Sequence, residues 1–287
     1  MHSYGNIYIA SDLHLGAPDA ASSRERERKF VRWLEVVAPN AGEILLLGDF
    51  FDFWFEYRHV VPRGYVRVLG KLADLSDAGI RLTFFAGNHD MWFRDYMQQE
   101  LGARVIMHQQ VREFFGRKYF LHHGDGLGPG DHGYKLLKAC MRNRFLRWCF
   151  ARLHPNFGVG LAQYFSRSSR KANLHLDDVD HGEKEFLYQY VKEELASAPV
   201  TYDYYVFGHR HLARWHEFSP AGTLIVLGDW IKAFSYLEIS AENGPRLRTF
   251  RNERPEPDEA VITHLRAARS SATAAQLAAA GSLRPKQ

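Results

Sequence analysis

Six short runs of β-branched, aromatic and aliphatic residues recur along the chain: NIYIAS (6–11), EILLLG (43–48), LTFFAG (82–87), KYFLHH (118–123), YDYYVFG (202–208) and TLIVLG (223–228). Helical patterns separate the first three. SSRERERKFVRWLEVVA begins with serines able to cap a helix and carries Phe30, Val31, Leu34 and Val37 at helical spacing. YVRVLGKLADLSDAG stops at Gly79, a helix terminator. Strands nearly continuous in apolar residues, alternating with helices, predict an α/β fold whose strands are buried on both faces.

The residues just past five of these runs carry the chemistry. Asp12 and His14 come after the first, Gly48, Asp49 and Asp52 after the second, and Asn88, His89 and Asp90 after the third. The fourth closes on His122, His123, Gly124 and Asp125, and the fifth on Gly208, His209, Arg210 and His211. Ligand sites in α/β sheets lie beyond the carboxyl ends of the strands, so five strand ends bring these groups to one place. That many carboxylates together repel one another unless a cation sits among them. A mixed Asp, His and Asn set suits manganese, iron or zinc better than calcium. Asp12 with His14, and His209 with His211, skip one residue, which in extended backbone puts both side chains on one side. Singly, each motif is ordinary turn chemistry. All five in this order, each after a strand, predict a metal centre.

With these motifs (D-x-H, G-D-x-x-D, G-N-H-D, H and G-H-x-H) the chain resembles the calcineurin-like metallophosphoesterases over about residues 6–250. The resemblance implies a four-layer αββα sandwich with two divalent ions, expected to be Mn2+. It implies that Asp12, His14, Asp49 and His211 hold one ion and that Asp49, Asn88, His123 and His209 hold the other. His123, directly before the glycine, matches the motif's ligand, and His122 is expected to point into the fold. His89 is implied on the leaving-group side, oriented by Asp52. Neither cysteine belongs to the motif set and no serine motif suggests a covalent nucleophile, so water is the expected attacking group.

The insert between the fourth and fifth runs, residues 124–201, speaks to substrate. Between Asp131 and Asp177 it contains no acidic residue, while Lys135, Lys138, Arg142, Arg144, Arg147, Arg152, Arg167, Arg170 and Lys171 fall in that span. Leu136, Leu137, Cys140, Phe145 and Trp148 read as one apolar helix face with basic residues beside it. A basic amphipathic helix flanking an active site predicts contact with anionic lipid or a membrane surface. The other readings are a helical hairpin packed on the sheet and a single-stranded nucleic-acid surface. The apolar residues are too many and too aliphatic for a stacking platform, so no nucleic-acid partner is expected.

The stretches SDLHLG, LLGDFFDFW, HGDGLGPGDHGYK and SRSSRKAN narrow the resemblance to the branch of the family that cleaves UDP-2,3-diacylglucosamine on the lipid A pathway. FWFEYRHVVPRGYVRVLGKL and ARLHPNFGVGLAQYFSRSSRKAN resemble its Bacteroidetes-type members. That likeness implies a helical cap at about 127–180 holding the acyl chains, and a nucleotide-activated glycolipid substrate. It implies substrate contacts at Asn88, Asp131, Tyr134, Ser169, Asn173 and His209; a downstream substrate lysine of the proteobacterial branch has no match after Asn173, and Arg170 or Lys171 is expected to serve instead. The proteobacterial members carry Arg where His89 stands here. The expected activity is hydrolysis of the pyrophosphate to UMP and 2,3-diacylglucosamine 1-phosphate. Two alternatives stay open: a metallophosphodiesterase acting on a nucleotide or another lipid pyrophosphate, and an inactive metal-bearing binding protein.

Composition sets the remaining bounds. The 287 residues are 46% hydrophobic and 24% charged, enough for one large domain. No apolar run is long enough for a membrane span, and no secretory signal is seen at the start. Cys140 and Cys149 lack metal or disulfide spacing and read as reduced core thiols. A cytoplasmic enzyme, peripheral on the inner membrane, is the expectation. Residues 1–251 are expected to form the domain, with 252–287 a charged, proline-broken linker and an alanine-rich tail.

Overall fold

The computed structural model describes residues 5–128, 132–173, 180–197, 202–218 and 222–257. The alanine-rich tail, from residue 258 on, lies outside them. The chain opens with β1 (Asn6–Ala10), α1 (Ala20–Val37), β2 (Ala41–Leu47), α2 (Val66–Asp77), β3 (Arg81–Phe85), α3 (Tyr96–Leu101) and β4 (Arg104–Ile106). Next come β5 (Gln110–Phe114), β6 (Arg117–His122), and three insert helices, α4 (His132–Arg142), α5 (Arg144–Phe150) and α6 (Pro155–Asn173). The rest comprises α7 (Phe186–Ser197), β7 (Tyr204–Phe207), β8 (Arg214–Phe218), β9 (Gly222–Val226), β10 (Ser235–Ser240), β11 (Gly244–Thr249) and the short β12 (Glu256–Pro257).

The strands form two sheets, ordered β12-β11-β10-β1-β2-β3-β4 and β5-β6-β7-β9-β8. β1 to β4 pair parallel, as do β6, β7 and β9, whereas the remaining pairs are antiparallel. Side-chain alternation explains the layering. Tyr8, Ala10, Ile44, Leu46 and Phe84 face a helix layer with Phe30, Trp33, Leu34, Val68 and Leu72. Their neighbours Ile7, Ile9, Leu45, Leu47 and Phe85 face the second sheet, meeting Tyr119, Leu121, Val206 and Ile225. The second sheet's other face packs Phe120, Tyr205, Phe207 and Leu224 on Leu187, Tyr188 and Val191 of α7. This is the expected four-layer α/β sandwich. Each fully buried Leu, Ile, Val or Phe contributes about 1.5–3 kcal/mol, so three apolar interfaces hold the strand ends rigidly in place.

Two local expectations are corrected. Asp19, not a serine, caps α1, its carboxylate accepting from the N–H groups of Ala21 and Ser22 at 2.8 and 3.0 Å. The insert does not present one helix through residues 136–148: Asn143 breaks it, capping α5 by accepting from Phe145 and Leu146 N–H. The start of the expected linker also does structural duty, since Glu256 pairs with Thr249 at the sheet edge.

Candidate metal centre

The loops after β1, β2, β3, β6 and β7 converge as the sequence predicts. The first two are zipped together by backbone bonds: His14 N–H to Asp49 O at 2.9 Å, Leu15 N–H to Phe50 O at 3.0 Å and Asp52 N–H to Leu15 O at 2.9 Å. Asp90 ties in the third. Its carboxylate accepts from Gly87 N–H and Phe50 N–H at 2.8 Å, and from Asp49 and Phe51 N–H at 3.2 and 3.3 Å. Gly87 is required by close approach, because a Cβ there would overlap the Asp49 side chain.

The ligand pairs do not sit in extended backbone, which corrects the sequence argument. Asp12, His14, Asp49 and His209 have φ of 57°, 45°, 52° and 65°. The left-handed region costs a non-glycine residue about 1–2 kcal/mol, and such strain gathers at functional sites. Each side chain is therefore aimed by a turn at its own Cα, and the loop-to-loop backbone bonds hold those turns.

The side chains form overlapping groups with metal-ligand spacing: Asp12, His14 and His211; Asp49, His123 and His209; and His14, Asp49 and His89. His14 Nε2 lies 3.3 Å from His211 Nε2, 3.7 Å from Asp12 Oδ1 and 3.6 Å from Asp49 Oδ2. His123 Nε2 lies 3.4 Å from Asp49 Oδ2 and 3.1 Å from Asn88 Oδ1. Asp49 is thus common to both sides. Atoms bound at roughly 2.0–2.2 Å to a shared ion stand about 3–3.6 Å apart, so the spacing fits a divalent cation. The orphaned atoms fit it too: Asp12 Oδ1 is buried without a hydrogen-bond partner. A buried carboxylate oxygen left so is costly unless a cation meets it.

Charge is consistent with this role. Burial would raise the Asp12 and Asp49 carboxyls, yet the imidazoles around them hold both below the usual carboxylate range. Burial lowers His89 and His209 to about 4, leaving neutral rings with free lone pairs. Burial would lower His123 as well, but the neighbouring Asp49 carboxylate and its hydrogen bond win and raise it to about 10. His122 points into the fold as expected: its Nδ1 accepts from Gly124 N–H at 2.8 Å, and burial lowers it to about 3.

Outer partners orient the rings. Leu47 O accepts from His123 Nδ1–H at 2.9 Å, which leaves Nε2 available to a metal ion. His211 Nδ1 lies 3.4 Å from Asp229 Oδ2, while Asp229 Oδ1 accepts from Ile231, Lys232 and Ala233 N–H. Asp229 was missed in the sequence, although the Gly228-Asp229 pair after the sixth run repeats the Gly48-Asp49 signal. His89 meets Asp52 as expected, chiefly through the backbone: Nδ1 is 3.0 Å from Asp52 O and 3.5 Å from its Oδ1.

Of the implied substrate contacts, Asn88 and His209 belong to the centre. Tyr134 stands beside His209, ring centroids 6.5 Å apart, and donates its hydroxyl to Asp125 Oδ2 at 2.8 Å. Asp125 also holds Lys138, Nζ to Oδ2 at 2.5 Å, and so pins α4 to the centre. Ser169, Arg170 and Asn173 lie on α6, but their side chains, like all of Asp131, fall outside the described residues.

The insert helices carry nine of the thirteen exposed large apolar side chains among the described residues, including Leu137, Phe145, Trp148, Phe157, Tyr164 and Phe165. The cysteines lie here rather than in the core: both are free and Cys140 is exposed. Lys135 and Lys138 are turned inward onto Gly128 O and Asp125, so not every basic residue of the insert faces solvent. Among the described residues no helix is long and apolar enough to cross a membrane.

The sequence is similar to known proteins. A family model for calcineurin-like phosphoesterase matches residues 5–233. A UDP-2,3-diacylglucosamine hydrolase of Porphyromonas gingivalis is 41% identical over 242 residues, covering 80% of this chain and 92% of its own. A second protein of that name, from Edwardsiella ictaluri, is 28% identical over 273 residues, covering 91% of this chain and 98% of its own. Among solved structures, a phosphoesterase from E. coli aligns with a TM-score of 0.43 at 13% identity, covering 87% of this chain and 96% of that one.

Proposed function

The chain belongs to the calcineurin-like phosphoesterase family, and on that premise we propose that it hydrolyses the pyrophosphate of UDP-2,3-diacylglucosamine to UMP and 2,3-diacylglucosamine 1-phosphate. One observation carries the choice of substrate beyond the family: α4 and α6 each touch the centre, through Tyr134 beside His209 and Ser166 beside His89, and the same insert exposes most of the large apolar side chains. A polar hydrolytic centre joined to an apolar cap suits a molecule with a pyrophosphate at one end and acyl chains at the other.

The proposed catalytic domain is residues 1–251, extended by the β12 pairing at 256–257, with about 127–180 its cap. Asp12, His14, Asp49 and His211 hold one divalent ion. Asp49, Asn88, His123 and His209 hold the second, and Mn2+ is the proposed metal. When bound, the ions supply an acidified water and offset charge on the phosphate oxygens. His89 faces the departing oxygen through Nε2; once the bound pyrophosphate favours the protonated ring, Nε2–H can pass that oxygen its proton or stabilise its charge, returning the ring to the neutral Nδ1–H form. Asp52 holds the ring. Asp131, Tyr134, Ser169, Arg170 and Asn173 are the proposed contacts to the headgroup.

Incubation with UDP-2,3-diacylglucosamine, Mn2+ and 18O-water, followed by mass spectrometry, tests the reading. Labelled UMP is expected, placing attack on the uridylyl phosphorus. Turnover of a soluble diester with none of the lipid would favour a nucleotide or another lipid pyrophosphate. Chain length is a second measure. Each buried methylene contributes about 0.8 kcal/mol, so kcat/KM should fall by orders of magnitude for a short-chain analogue. Trp148→Gln should remove much of that preference; an unchanged preference argues against the cap as the acyl site.

The membrane reading rests on the exposed Arg144 and the half-buried Arg147 beside this apolar face. Peripheral binding on the cytoplasmic face of the inner membrane is proposed. Arg144→Glu with Arg147→Glu should weaken binding to anionic vesicles, with added salt mimicking the loss. Wild-type protein that ignores such vesicles at low salt would rule this out.

A further inference from the structure

Val159, Ala162 and Ser166 recur at three- and four-residue spacing on α6, so they share one face. Val159 and Ala162 pack with Phe53, Phe55, Met91 and Trp92, which come soon after Asp52 and His89 in the chain. Phe150 of α5 joins them, its ring centroid 4.7 Å from Phe55 and 4.9 Å from Trp92, and Trp92 Nε1–H donates to Met141 O at 2.7 Å. The two loops bearing Asp52 and His89 are therefore packed onto the cap. Ser166 stands where that apolar seam meets the polar centre. Its hydroxyl donates to Asp52 Oδ1 at 3.1 Å, and its oxygen lies 3.3 Å from His89 Nδ1. A carbonyl can only accept, so the 3.0 Å approach of Nδ1 to Asp52 O assigns the proton to Nδ1. The serine oxygen shares that proton while its own proton goes to Asp52, which leaves Nε2 as the nitrogen free for the centre that His89 joins with His14 and Asp49.

We propose that Ser166 is a positioning residue. It holds Nδ1–H of His89 in place and so fixes the ring's orientation, so that full catalysis requires α6 seated on the Asp52 and His89 loops. This rests on the proposed function only in taking His89 as the group that meets the departing oxygen. An acid or charge-stabilising group helps a poor leaving group more than a good one. Ser166 should therefore reveal itself by leaving-group dependence, which a packing role would not produce.

The test compares wild type, Ser166→Ala and Ser166→Thr on the phenyl and p-nitrophenyl esters of UMP with Mn2+. Ser166→Ala should lose about ten- to hundredfold in kcat on the phenyl ester, the worth of one hydrogen bond in the catalytic geometry. Its loss on the p-nitrophenyl ester should be smaller, with KM within about twofold and metal per chain unchanged. Ser166→Thr retains the hydroxyl and should recover most of the rate. Equal losses on both esters, a threonine variant as slow as alanine, or metal lost with the hydroxyl would each overturn the proposal. Neither ester carries an acyl chain. Wild type that cleaves both but not the lipid would remove the substrate reading and leave the role of Ser166 standing.

Discussion

Asp49→Ala should empty both metal positions together and bring hydrolysis to background. Asp49 Oδ2 lies 3.6 Å from His14 Nε2 and 3.4 Å from His123 Nε2, so one oxygen faces both groups of ligands. No other candidate ligand does so among the described residues. Without it, one side keeps Asp12 and two imidazoles, and the other only two imidazoles and an amide. The substitution has local costs as well. Alanine would inherit a φ of 52°, and His89 N–H would lose its 2.9 Å acceptor, Asp49 Oδ1. The three apolar interfaces do not pass through this residue, so the fold should survive. Asp49→Asn separates charge from shape: it can still accept from His89 N–H, yet it should also lose metal. Elemental analysis beside a diester assay decides. Two ions per chain with full activity in Asp49→Ala would rule out the bridging role.

Where the sequence was legible, the cause is local. β1, β2, β3, β6, β7 and β9 are buried on both faces in continuous apolar runs, and a motif one or two residues past such a run must lie at a strand end. β5 alternates between partly buried and exposed positions and β8 is only partly buried along its length, which is too weak to mark either as a strand. β10 has two serines and a glutamate among its six residues, which breaks its apolar run although the strand itself is buried. The left-handed turns at four ligands were invisible, because backbone strain is imposed by neighbouring loops and not by the residues that adopt it. Partners across the fold were hidden for the same reason. Asp229 orients a histidine from a different strand end, and Ser166 reaches across from the insert to Asp52, 114 positions earlier. Asn143 is one polar residue among many in the insert, and its capping role follows only from the turn that brings its side chain onto the N–H groups of Phe145 and Leu146.

His89→Ala should keep both ions and slow hydrolysis by roughly 10²–10⁴-fold, the usual worth of general acid–base help. On the proposed reading the ring stands outside the ligand set, and removing it leaves the surrounding loops tied. Its Nδ1 is committed to Asp52 O at 3.0 Å. Its anchoring of Asp49 runs through the backbone N–H, which alanine retains. Burial holds the ring neutral near a pKa of about 4. A bound pyrophosphate brings negative charge against it and favours the protonated form. Asp52→Ala should be milder, because the carbonyl that accepts from Nδ1 stays, although the carboxylate that meets Ser166, His89 Nδ1 and His14 Nδ1 is lost. The competing possibility is the group of His14, Asp49 and His89, whose atoms are also close enough to share an ion. Metal analysis separates the two. An ion lost with the imidazole would make His89 a ligand and transfer the leaving-group role elsewhere, whereas two ions retained with a slow rate leave only the proton-handling role.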